Sequence, residues 1–204
     1  MGSTIRNLSD QNYERSLTYF RLWSEVRQTY FQLPADEIFD AIYENRASDP
    51  PHHTSIYPKA SIILRFIDHI ESDAALAPQC AGFRGRFCTR ILQNFFDDDM
   101  RVLYVYPGSV PNDYYPDVNY IAHCANLGYL EKNTIRNHIL QSLISHTKMY
   151  EHQVSALALL FKIAGATFEA YTDPAVINNC FEILNSNLYS GWGRGLVRVG
   201  AFSL

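Results

Sequence analysis

The sequence lacks several features that would indicate a particular chemistry or location. It has no run of eighteen apolar residues and no signal-peptide core, so we expect a cytoplasmic protein without a membrane span. Its four cysteines form no C-x-x-C pair and have no histidine at zinc-finger spacing, which argues against a structural zinc site. The glycine-rich stretch GWGRG lacks the Lys-Ser/Thr of a phosphate-binding loop. We therefore predict no cofactor and no metal.

The sequence also lacks an excess of basic residues. Seventeen Lys and Arg face twenty-one Asp and Glu, for a net charge of −4, which argues against strong sequence-independent binding of nucleic acid. The chain has 204 residues with 47% hydrophobic and 19% charged residues, values typical of a globular protein. This length suits one large domain or two small ones.

What the sequence does contain is a repeated helical pattern between residues 117 and 184. Two apolar-periodic segments end on Gly128 and Gly165, and each is followed by a polar break and a new helix start, at Asn133-Thr134 and at Thr172-Asp173-Pro174. Capping oxygens, proline at the first helical position and glycine after a helix end are helix boundary signals. A period of about 40 residues is typical of paired-helix repeats.

The same reasoning predicts further helices upstream, over residues 10–33, from Pro34 onward through Tyr43, 57–71 and 83–96, before those at 117–127, 134–146, 149–165 and 174–186. Five of these predicted helices have an apolar stripe that we expect to face the core. The stripes are Tyr19, Leu22, Trp23, Val26, Tyr30 and Leu33; Ile38, Phe39, Ile42 and Tyr43; Ile63, Phe66, Ile67 and Ile70; Phe87, Ile91, Leu92 and Phe95; and Leu157, Leu160, Phe161 and Ala164.

Between these helices the pattern is less regular. We expect Asp97–Asp99 to end the fourth helix, because acids are unfavourable at a helix C-terminus. Val102–Tyr106 could be a short strand, an extended linker or a helical turn, and 107–116 is predicted to be a loop. The predicted fold is an all-α superhelix, a HEAT/armadillo-like stack of about four to five antiparallel helix hairpins over 10–186. A flexible arm (1–9) precedes it and a glycine-rich tail (187–204) follows.

Two groups of residues could support chemistry, and we expect neither to do so. Asp97–Asp99 could hold Mg²⁺ in a helical metal-dependent enzyme, but a second carboxylate helix facing it is not evident. His138, Ser142 and His146 share one helix face, where an imidazole could activate the hydroxyl, but no acid on that face would orient the base. We predict a protein without catalytic residues.

Three stretches carry a resemblance to a known family. Ile38–Pro50 (IFDAIYENRASDP), Phe83–Asp99 (FRGRFCTRILQNFFDDD) and Asn119–Leu143 (NYIAHCANLGYLEKNTIRNHILQSL) are similar to helices of the middle domain of eukaryotic translation initiation factor 4G. The likeness covers about residues 36–186. Tyr120, His123 and Cys124 stand where the family has Phe, Glu and Leu, and the arginine-rich run before that motif is missing.

This resemblance implies a non-catalytic scaffold with a crescent of helical hairpins. It implies as partner a DEAD-box RNA helicase similar to initiation factor 4A, and in addition RNA. On the resemblance, Tyr120, His123 and Tyr129 are the expected partner contacts, and the densest basic stretch, Arg84, Arg86, Arg90 and Arg101, is the expected RNA contact. An alternative from the repeat pattern is a general protein-interaction module unrelated to translation.

Overall fold

The computed structural model describes residues 7–31, 35–44, 59–74, 76, 80–104, 114–144 and 151–189. Within these ranges every regular element is helical and no strand occurs, so the predicted all-α class is confirmed. A 3-10 turn (Asp10–Asn12) and a π-helical turn (Ile135–Ile139) accompany the α-helices. These are α1 (Tyr13–Phe31), α2 (Ala35–Tyr43), α3 (Lys59–Ser72), α4 (Phe83–Tyr104), α5 (Tyr114–Asn126), α6 (Lys132–Thr134), α7 (Leu140–Ile144), α8 (Glu151–Tyr171) and α9 (Pro174–Tyr189).

The chain forms two compact units, and the boundary falls between Arg90 and Ile91 within α4. The core of the first unit is built from aromatic pairs between helices. Phe20 of α1 meets Phe66 of α3 edge to face at 5.4 Å between ring centroids, and Phe39 of α2 meets Phe83 of α4 at 5.5 Å. Such pairs add about 0.5–1.5 kcal/mol to the gain from burying the rings. The stripes predicted to be buried on α2 and α3 are confirmed in full.

A carboxylate joins α3 to α4 in the first unit. Glu71, in the last turn of α3, accepts hydrogen bonds from the backbone N–H groups of Gly82 (2.8 Å) and Arg84 (3.3 Å). These are donors at the start of α4 that have no partner within the helix, and the positive end of the helix dipole favours an acid there. Gly82 has a φ of 77°, which is a conformation that favours glycine.

In the second unit, α8 is the central helix and packs against α5, α7, α9 and the π-helical turn. The predicted inward stripe of Leu157, Leu160, Phe161 and Ala164 is confirmed by its burial. The segment His152–Tyr171 is long and apolar enough to cross a membrane by length and composition alone, and 56% of it is buried within the structure. That degree of burial is typical of the core helix of a helical domain.

One of the two glycine boundaries holds as predicted. Gly128, with φ at 72°, follows the end of α5. Its N–H donates to the carbonyl of Ala125 at 3.1 Å, and the N–H of Tyr129 donates to the carbonyl of Cys124 at 2.9 Å. This pair of bonds is a Schellman motif, which satisfies carbonyls that the helix end leaves open.

The other glycine boundary is wrong. Gly165 does not end its helix, because α8 continues to Tyr171. The helix is instead kinked at Ala164, whose φ of −132° and ψ of 23° are not helical. The side-chain amide of Asn126 donates to the carbonyl of Ile163 at 2.8 Å, and its oxygen accepts from the Thr167 hydroxyl at 2.7 Å. A side chain inserted at a kink is a recognised cause of helix bending.

Two further boundaries differ from prediction. Asp97–Asp99 do not end α4, which runs to Tyr104, because the unfavourable dipole term is below about 1 kcal/mol and is easily outweighed by packing. The start of the ambiguous run Val102–Tyr106 is therefore helical, whereas residues 105 and 106 lie outside the described residues. The predicted loop at 107–116 is wrong at its end, because α5 begins at Tyr114, whose ring stacks on Phe95 at 5.7 Å.

The predicted arm and tail fall largely outside the described residues, which begin at 7 and end at 189. Leu8 is an exception to the predicted arm, because its side chain is buried. In the first turn of the chain, Asn12 accepts from the N–H of Ser9 and donates to the carbonyl of Asn7.

Candidate interaction surface

The partner contacts expected from the resemblance lie on α5 and just after it. Tyr120 is completely buried, so its prediction as a surface contact is wrong. His123 is half-buried, and its Nε2 atom has no hydrogen-bond partner. Burial lowers the pKa of this imidazole, which favours the neutral form. Tyr129 is half-buried and follows the glycine of the Schellman motif.

The arginines expected to contact RNA are engaged with aspartates instead. Arg84 pairs with Asp68 of α3 at 3.2 Å, and Arg86 pairs with Asp36 of α2 at 2.7 Å. Arg90 pairs with Asp40 of α2 at 2.6 Å. The side chain of Arg101 lies outside the described residues. The basic stretch of the sequence is therefore largely neutralised in the fold.

Two of these pairs form a regular arrangement, which we call the arginine–aspartate ladder: Arg86 with Asp36, and Arg90 with Asp40. Arg86 and Arg90 are four residues apart on α4, and Asp36 and Asp40 are four residues apart on α2. The two arginines therefore lie on one face of their helix, and so do the two aspartates. The guanidinium of Arg86 also lies 4.3 Å from the ring centroid of Phe39, and that of Arg90 lies 4.2 Å from the ring centroid of Tyr43. The ladder thus covers the aromatic contacts between α2 and α4 and stabilises the packing of the two helices.

Other arginines of the first unit are also paired. Arg21 of α1 binds Asp73, and Arg65 of α3 binds Asp10 at 2.6 Å. Among the described arginines of this unit, Arg15 stands apart because its guanidinium contacts no carboxylate. It donates a hydrogen bond to the hydroxyl of Tyr19 at 3.1 Å and lies 5.4 Å from the centroid of that ring.

The surface around Arg15 is the outer face of α1, and it differs from the sequence-based prediction. Tyr19, Leu22 and Val26 were predicted to face the core, but they are 49%, 52% and 48% exposed. The core face of α1 is instead formed by Tyr13, Leu17 and Phe20, which are buried together with Ser16 and Ser24. We call Arg15, Tyr19, Leu22 and Val26 the outer seam. The predicted stripe positions Tyr30 and Leu33 lie outside the described side chains.

The first unit also contains an open depression of about 620 Å³ beside the start of α1. Its lining residues are Asp10, Tyr13, Glu14, Arg65, Asp68, His69 and Ser72. The Tyr13 hydroxyl donates to the backbone carbonyl of Arg65 at 3.1 Å, and the Arg65 guanidinium lies 4.3 Å from the Tyr13 ring centroid. Burial raises the pKa of Tyr13. These polar contacts serve to hold α1 against α3.

The residues considered for metal or nucleophilic chemistry are placed as follows. Among the described residues, no group of three or more His, Cys, Asp or Glu side chains could hold a metal ion. Asp97 is exposed on α4, whereas the side chains of Asp98 and Asp99 lie outside the described residues. The Ser142 hydroxyl donates to the carbonyl of Ile139 at 2.8 Å, and His146 is outside the described residues.

All four cysteines are buried. Burial, assisted by the negative charges of Glu71 and Asp73, raises the pKa of the Cys80 thiol to about 12. Burial also raises the pKa of Cys180 to about 11. Both thiols therefore remain protonated at neutral pH, and a thiol in that state is a poor nucleophile.

Comparison with known proteins adds no relative: no protein-family model, curated protein or solved structure matches this chain. The candidate surface therefore rests on the geometry of the chain alone. The sequence did carry a signal for the outer seam, namely the apolar spacing of Tyr19, Leu22 and Val26. A second apolar stripe on α1, at Tyr13, Leu17 and Phe20, is the signal that would have assigned the seam to the surface.

Proposed function

We propose that this protein is a non-catalytic helical scaffold that binds another protein molecule through the outer seam of α1. One observation carries the proposal: α1 has two apolar faces, and only one of them is used in the core. Phe20 is completely buried, whereas Leu22, two residues further on, is 52% exposed. Large apolar side chains exposed side by side are typical of interaction sites, and an amphipathic face is a common mode of helix recognition.

The arginines give less support to RNA as the partner. A phosphate that approached Arg84, Arg86 or Arg90 would have to displace an aspartate within 3.2 Å of each guanidinium. Phosphate contacts provide most of the affinity in sequence-independent RNA binding. The seam is therefore the contact that we propose, and the arginine–aspartate ladder has a structural role in this proposal.

A narrower form of the proposal concerns the identity of the partner. The resemblance of Asn119–Leu143 to the initiation factor 4G middle domain supports a DEAD-box RNA helicase. In this form of the proposal the half-buried His123 and Tyr129 are additional contacts, and the buried Tyr120 acts only by packing.

The test is site-specific photo-crosslinking of the full chain in a eukaryotic lysate. Leu22 is replaced by p-benzoylphenylalanine, and the matched control carries the same group at Leu127, an apolar residue of the second unit with a similar exposure of 49%. We expect a light-dependent protein adduct at position 22 that persists after RNase treatment and is absent at position 127. Equal adducts at both positions, or none at position 22, would contradict the proposal. Mass spectrometry of the adduct tests the helicase.

A further inference from the structure

We draw no further inference here: the strongest candidate, the open depression beside the start of α1, carries none because its carboxylates Asp10 and Asp68 are already paired with Arg65 and Arg84 and its buried Tyr13 hydroxyl already donates to the backbone of α3.

Discussion

Replacing Arg90 tests whether the basic stretch of α4 is structural or is free to bind RNA. Its guanidinium lies 2.6 Å from Asp40 and 4.2 Å from the centroid of the Tyr43 ring. Because the two charged side chains are 44% and 46% exposed, the ion pair contributes roughly 0.3–1 kcal/mol. The cation–π contact adds about 0.5–1 kcal/mol. We therefore expect Arg90→Ala to lower the free energy of unfolding by about 1–2 kcal/mol.

The assay is urea unfolding followed by circular dichroism on Arg90→Ala, Asp40→Ala and the double variant. The cycle should give a coupling energy of about 0.5 kcal/mol that decreases in 0.5 M salt, since salt screens exposed charges. Arg136→Ala is the matched control, because Arg136 is exposed and makes no ion pair with the described residues, and its unfolding midpoint should equal that of the wild type. Affinity for a fluorescent single-stranded RNA should not change in Arg90→Ala. Wild-type stability together with lost RNA affinity would refute the structural role.

Three further predictions concern other parts of the molecule. Asn126→Ala should lower the free energy of unfolding by about 1–2 kcal/mol, because it removes two hydrogen bonds at the kink of α8. Thr167→Val removes one of these bonds and should lower the free energy of unfolding by about half as much. A wild-type value for Asn126→Ala would contradict this role. Because the folded-state pKa of Cys80 is raised from 9.0 to about 12, its stabilising contribution is complete below pH 9 and is lost as the pH rises toward 12. The free energy of unfolding should accordingly fall more steeply above pH 9 in wild type than in Cys80→Ala, and parallel curves would contradict the shift. Magnesium should leave the melting temperature unchanged, because Asp97 is exposed and belongs to no three-ligand group among the described residues; a rise of more than about 3 °C that Asp97→Asn abolishes would instead support the metal-enzyme alternative.

The sequence alone correctly predicted those parts of the fold in which the chain carries a single boundary signal or a single apolar stripe. Ile38, Phe39, Ile42 and Tyr43 are the large apolar residues of α2, so the buried face followed from spacing alone. Gly128 ended α5 because the chain there needs a positive φ, which glycine adopts without strain. These features depend on local chemistry, and local chemistry is readable from the sequence.

Other features depend on tertiary packing, and the sequence misled there. Gly165 costs a helix interior only about 1 kcal/mol relative to alanine, so α8 continued through it into the core of the second unit. The kink one residue earlier depends on Asn126, which is 38 residues away from Ala164 along the chain. On α1, two apolar stripes compete, and spacing cannot decide which stripe meets Phe66 across the core.

The candidate site was predictable only in part for the same reason. The residues of the outer seam were recognised as apolar and periodic, but their exposure could not be known without the position of α3. Conversely, Arg84, Arg86 and Arg90 formed a basic cluster in the sequence. Their aspartate partners come from α2 and α3, so pairing across helices removed a charge pattern that the sequence alone suggested.

The most direct test of the central claim is hydroxyl-radical footprinting of α1, read by mass spectrometry. The two faces of the helix predict opposite behaviour for Tyr19 and Phe20, which are neighbours in sequence but 49% and 0% exposed. We predict that Tyr19 and Leu22 are oxidised in the isolated protein, while Phe20 is protected. Protection of Tyr19 in the isolated protein would contradict an outer seam that is open to a partner.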